Sequence, residues 1–104
     1  MLPEIANQAA DIAELCRRHG VARLEVFGSA ARDADFDPAT SDADFLVTFT
    51  AAAGNDLGTY LDLKEALETL LGRPVDMLER DAIEASRNSI RRRAILNSAQ
   101  PLYG

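Results

Sequence analysis

An α/β or α+β fold, with a single small mixed sheet flanked by helices, is predicted by three observations. Amphipathic segments with helical spacing alternate with short apolar runs, the first two helix-like segments end at Gly20 and Gly72, and the chain follows the order helix, strand, turn, strand, helix, strand, helix. With 104 residues and 47% hydrophobic residues, the chain is expected to form one domain spanning 1–104.

The first 20 residues read as one helix. Ile5, Ala9, Ile12 and Cys16 keep to one face, Pro3 suits a first turn, and Gly20 supplies the stop. Val21–Phe27 alternates as a strand, and Gly28-Ser29 ends it. Residues 33–40 are Asp-rich, contain Pro38 and have no period, which predicts a loop. Ala43–Phe49 is the second expected strand.

Leu57 to Leu71 is expected to be helical, with Tyr60, Leu63, Leu67, Leu70 and Leu71 on one face and Gly72 closing it. Pro74 forbids simple continuation. Val75–Leu78 reads as a third strand. Asp81 is the expected N-cap of a helix running through Ile90 and on towards Leu96. Gln100–Tyr103 is read as a terminal edge strand.

Composition excludes several classes. Residues 1–80 carry 15 acids and 7 bases, residues 81–104 carry 2 acids and 4 bases, and the net charge is −6. Such a chain repels nucleic-acid phosphates, so direct nucleic-acid binding is not expected. No apolar run has a membrane-spanning length, and the acidic N-terminus does not resemble a signal peptide, so a cytoplasmic protein without membrane contact is expected. Cys16 is the only cysteine and reads as a buried small hydrophobe. His19, the only histidine, reads as a residue that closes the first helix through capping or the helix dipole.

The chemistry concentrates at residues 27–45, FGSAARDADFDPATSDADF, where five aspartates accompany one base, Arg32. Asp42 and Asp44 lie two residues apart at a strand start, so they share a face with Cα atoms about 6.5–7 Å apart. Carboxylates so placed repel unless a proton or cation lies between them. Mg²⁺ suits them, because it takes one or two carboxylates together with substrate phosphates. A pair of such ions serves phosphoryl displacement.

Asp76, an acid inside an apolar strand, is the third candidate: it would reach the same metals or accept the proton of an attacking hydroxyl if its strand lies beside the second. An ion pair with Arg73 is the alternative reading of Asp76. Gly28 would let the backbone approach a phosphate, Ser29 adds a hydroxyl, the N–H groups of Ala30 and Ala31 favour anions, and Arg32 adds a charge-assisted donor. A calcium loop starting at Asp33 fails, because its sixth and twelfth positions are Pro38 and Asp44.

Phe27-Gly28-Ser29-Ala30-Ala31-Arg32 followed by Ser41-Asp42-Ala43-Asp44-Phe45-Leu46-Val47 resembles the signature of the minimal nucleotidyltransferases of the DNA polymerase β-like superfamily. The leading helix, the Val-Asp strand at 75–76 and the closing Pro-Leu-Tyr fit the same layout. The resemblance implies the polymerase β-like fold and transfer of a nucleoside monophosphate, AMP from ATP or another NTP. It also implies that Asp42, Asp44 and Asp76 hold two Mg²⁺ ions and carry catalysis, with Gly28, Ser29 and Arg32 binding the phosphates. Members of this size are similar to antitoxins that bind a HEPN-type toxin and, in some pairs, add AMP to one of its tyrosines.

Two departures stand out: Asp33 follows the arginine where many members have Gly, and the loop to Ser41 is about two residues longer. Neither removes a ligand. The absence of residues for an acceptor domain favours a protein acceptor supplied by a partner. Two alternatives share the fold: a non-catalytic toxin-binding module, and a small-molecule nucleotidyltransferase that needs a separate acceptor-binding subunit. Arg91, Arg92 and Arg93 read as a solvated helix surface or as a partner-docking or phosphate-facing edge.

Overall fold

The computed structural model describes residues 2–28, 31, 43–53 and 56–104. The described elements are α1 (Pro3–Ala6), α2 (Ala9–Arg18), β1 (Val21–Phe27), β2 (Ala43–Phe49), α3 (Leu57–Leu71), β3 (Val75–Glu79), α4 (Arg80–Glu84), α5 (Ser89–Ser98) and β4 (Gln100–Tyr103). The strands form one mixed sheet in the order β3-β2-β1-β4. β1 is antiparallel to β2 and β4, whereas β2 and β3 run parallel. A parallel pair needs a long crossover, and α3 lies within that connection.

Strand alternation divides the apolar residues between two faces. Leu24, Val26, Phe45, Val47, Val75 and Met77 join Ile12 and Cys16 of α2 and Leu63 and Leu67 of α3 in the larger core. On the opposite face Phe27 and Leu46 meet Ile83 of α4 and Ile95 of α5 in a smaller cluster. The first face carries α2 and the fifteen-residue α3, and the second carries α5 and the five-residue α4. That asymmetry matters for the carboxylates described below.

The second face also buries a charge. Glu25 is 2% exposed, and Arg80 of α4 binds both its carboxylate oxygens at 2.5 and 2.7 Å. Arg23 lies 3.4 Å from the same carboxylate, and Arg80 also donates to Glu84 at 2.7 Å. A buried carboxylate requires such pairing. The pair ties the start of α4 to the middle of β1.

Most expected elements occur at their predicted places, including the edge strand Gln100–Tyr103, which pairs with β1. Gly72 closes α3 at φ +67°, a conformation glycine adopts without a Cβ penalty. Two boundaries differ from expectation. The N-terminal helix is two segments, broken at Asn7 and Gln8, where the N–H of Gln8 turns back to Ile5. Asn is a weak helix former, and the break lets both Leu2 and Ile5 enter the core.

The expected helix from Asp81 is likewise two segments. Asp81 lies inside α4, whose N-cap is Glu79, and Asn88 caps α5 by accepting from the N–H of Arg91 at 3.1 Å. Ser86 accepts from the N–H of Asn88 at 3.2 Å. These short side chains bind local backbone and end the helical run that the apolar pattern suggested.

Candidate active site

β2 and β3 pair in register from Ala43↔Val75 to Val47↔Glu79, so Asp44 stands directly beside Asp76. Residues at paired positions of adjacent strands share a face, with strand axes about 4.8 Å apart. The face is that of Leu46 and Phe27, the one with the smaller helical cover. α4 and α5 cover Leu46 and leave the strand starts open, so Asp44 is half-buried and Asp76 exposed. The expected adjacency of the second and third strands is therefore present.

Gly28 completes this corner. Asp44 pairs with Phe27 at the end of β1, and Gly28 follows with φ +69°. A Cβ on Gly28 would meet Oδ2 of Asp44 at 2.9 Å. The left-handed backbone favours glycine here, and a side chain would in addition make the Asp44 carboxylate shift. Ser98 of α5 holds the turn: its Oγ accepts from the Gly28 N–H at 3.1 Å and donates to the Ile95 carbonyl at 3.0 Å.

The Ala31 N–H donates to the Gly28 carbonyl at 3.1 Å. Ala31 therefore spends its donor inside the turn and not on an anion, a correction to the expectation from sequence. Gly28, Asp44 and Asp76 are brought together; Ser29, Ala30, Arg32 and Asp42 lie outside the described residues, as does the expected loop at 33–40. Among the described residues no three His, Cys, Asp or Glu side chains form a metal-binding group. Two adjacent carboxylates, Asp76 exposed and Asp44 half-buried, with Asp42 two residues before Asp44 in sequence, are still the oxygen donors that a hard divalent cation takes. The donor set fits Mg²⁺.

Arg73 lies 2.6 Å from Glu4, not in the ion pair considered for Asp76. His19 caps α2 through Nδ1 and the Leu15 carbonyl, 2.7 Å apart. Cys16 is fully buried, and burial pushes its thiol up to about 11, so it is packing and not a nucleophile. Arg91 and Arg93 are exposed, while Arg92 turns back to donate to the Ser86 carbonyl.

Sequence reasoning missed the residues that brace the site. Glu68 of α3 accepts from the Val75 N–H at 3.0 Å, and Tyr60 donates its hydroxyl to the Met77 carbonyl. Both bonds use the side of β3 turned away from β2, so α3 closes the sheet edge next to Asp76. Burial, followed by the charges of Asp76 and Glu79, raises the Tyr60 phenol above its ordinary range. The helical spacing of Tyr60 marked only its apolar side, and nothing in the pattern marked Glu25, Glu68 or Ser98.

The family described as Nucleotidyltransferase domain matches residues 12–100. A Methanocaldococcus jannaschii protein named as a putative protein adenylyltransferase is 42% identical over 66 residues, 64% of this chain and 67% of that protein. A solved structure of a putative minimal nucleotidyltransferase superposes with TM-score 0.70 at 36% identity, covering 91% of this chain and 89% of that one. At 18% identity, where the likeness is one of fold, a complex of tri-AMPylated Shewanella oneidensis HEPN toxin with MNT antitoxin gives TM-score 0.63, covering 96% of this chain and 72% of that one. A toxin-antitoxin with AMP-PNP gives 0.66 at 19% identity, covering 92% and 73%. The mixed sheet, the carboxylate pair at its open corner and these likenesses define one class, the nucleotidyltransferases. The chain belongs to the nucleotidyltransferase domain family, as a minimal nucleotidyltransferase.

Proposed function

We propose that this protein transfers AMP from ATP to a hydroxyl of a partner protein, a tyrosine of a HEPN-type toxin, and so acts as its antitoxin. The register pairing of Asp44 with Asp76, with Gly28 closed against Asp44, is the observation that carries this reading. Its partner component follows the solved complexes of similar fold, one of HEPN toxin with MNT antitoxin and one containing AMP-PNP.

In this reading Asp42, Asp44 and Asp76 hold Mg²⁺, which when bound offsets the charge of the triphosphate against the carboxylates. Gly28, lacking a side chain, leaves room for the triphosphate beside Asp44. The Ser29 hydroxyl and the Arg32 guanidinium bind its oxygens. Asp76, more open than Asp44, accepts the proton of the attacking hydroxyl. The hydroxyl oxygen bonds to the α-phosphorus as the bond to the bridging oxygen breaks, and pyrophosphate leaves.

The test mixes the protein, Mg²⁺ and α-labelled ATP with and without a HEPN-type toxin partner, next to an Asp42→Ala/Asp44→Ala variant. Label on the toxin with the wild type only is the expected result. A stable complex that silences the toxin without label would overturn transfer and leave a binding module with the same fold.

A further inference from the structure

On the far side of the sheet from Asp44 and Asp76, α2 and α3 enclose a shallow groove of about 540 Å³. Its residues recur at helical spacing on both walls: Asp11, Glu14, Leu15 and Arg18 on α2, with Asp62, Glu65, Ala66, Thr69 and Leu70 on α3. The groove therefore follows two helix faces for about two turns each. Leu15 and Leu70 pack against the core from outside and, with the half-buried Ala66, make an apolar floor.

The rim is acidic. Glu14 is already matched by Arg17 at 2.8 Å and Arg18 at 3.4 Å. Asp11, Asp62 and Glu65 are exposed and make no ion pair among the described residues. Three unmatched carboxylates around an apolar floor repel nucleic acid and anionic lipid surfaces. They complement an apolar stripe bordered by Lys or Arg, and the chain's net charge of −6 steers such a partner inwards.

Both walls of the groove are helices, whose backbone groups are paired within them. An extended peptide would find no backbone edge to pair with there, whereas a helix satisfies its own backbone and presents a row of apolar residues. We propose that this groove docks a cationic amphipathic helix of a partner protein. The site lies behind the sheet, so docking leaves the Asp44–Asp76 corner accessible. The proposal does not rest on nucleotide transfer and stands or falls separately from it.

The probe is a fluorescein-labelled Leu/Lys amphipathic helix, titrated with the full chain and read by fluorescence anisotropy, beside a Leu/Glu helix of the same length. Saturable binding of the Leu/Lys helix, on the order of tenfold tighter than the Leu/Glu helix and weakening with salt, is expected. Asp62→Asn/Glu65→Gln weakens it by about tenfold and flattens the salt dependence, and neutralising two exposed carboxylates leaves the circular dichroism unchanged. Ala66→Gln, which fills the floor, also weakens it, whereas Asp81→Asn on the other face does not.

Equal binding of the two helices overturns the proposal. So does an Asp81→Asn loss as large as the groove variant's, which would mean a diffuse acidic field. Self-association abolished by Ala66→Gln would make a second copy the occupant and overturn it as well. ATP-independent affinity for the Leu/Lys helix is expected, so a failed transfer assay does not affect the result.

Discussion

Asp44 of β2 and Asp76 of β3 sit at paired positions of two parallel strands, on the sheet face that α4 and α5 cover. Like charges at directly neighbouring sheet positions disfavour the fold by an amount on the scale of a side-chain pair, about 0.2–1 kcal/mol. An apolar pair would pack better there. The arrangement gives up apolar packing at the corner where Gly28 also gives up a side chain. Stability conceded at a corner is the expected mark of a functional site.

Asp76→Asn, a change at an exposed position, is expected to fold as well as the wild type, within about 1 kcal/mol by urea denaturation in EDTA. Transfer of label to the partner should fall by two orders of magnitude or more, about the loss that follows removal of a group acting on the transition state. Mg²⁺ should raise the melting temperature of the wild type more than that of the variant, because a ligand bound only by the folded state stabilises it. Equal Mg²⁺ shifts in both proteins would remove Asp76 from the metal site.

Gly28→Ala tests the other half of the corner. The substitution places a methyl group 2.9 Å from Oδ2 of Asp44 and asks alanine to hold φ +69°. The backbone strain alone is about 1–2 kcal/mol. A loss of at least that size in urea denaturation is expected, together with loss of transfer. Ser98→Ala, which removes only the hydroxyl that holds the Gly28 N–H, should cost about 1 kcal/mol. A Gly28→Ala protein of wild-type stability would mean that the turn is not held as described.

The elements that carry strong periodicity are legible in the amino-acid sequence. β1, β2 and α3 lie at the residues their patterns indicate, because alternation and helical spacing report which face is buried. The pairing of β2 with β3 is expected only conditionally, since no pattern within one strand states its neighbour. The breaks at Asn7 and at Ser86–Asn88 are not legible, because they depend on single side chains binding nearby backbone. Glu25 is hidden for another reason. It looks like the polar member of an alternating strand, and only Arg80, far along the chain, allows that position to be buried.

Cys16 makes a pH prediction. Burial raises its thiol from 9.0 to about 11, so between those values the unfolded chain loses a proton that the folded chain keeps. The unfolded state then binds fewer protons, and stability falls as pH rises through that window. Denaturation midpoints measured from pH 8 to 11 should decline, and Cys16→Ala, though less stable throughout through its cavity, should show a shallower decline. A native thiol reagent should modify Cys16 no faster than the protein unfolds. Rapid modification at pH 8 would contradict a buried, protonated thiol.

The contact between Glu25 and Arg80 provides a last test, of how the site's supporting face is held. Glu25 is 2% exposed, while the Arg80 side chain keeps 23% of its surface in contact with water. Truncating Glu25 to alanine leaves a guanidinium that can partly rehydrate, so the cost should be about 2–3 kcal/mol, below that of breaking a fully buried pair. Arg80→Met leaves the more deeply buried group without its main partner and should cost at least as much. The double variant should recover part of the sum, with a coupling energy of about 1–3 kcal/mol between residues in contact. Because Arg80 opens α4, and α4 supplies Ile83 against Leu46 two residues from Asp44, the single variants should also slow transfer without abolishing it. Additive losses in the cycle would show that β1 and α4 are held by their apolar contacts alone.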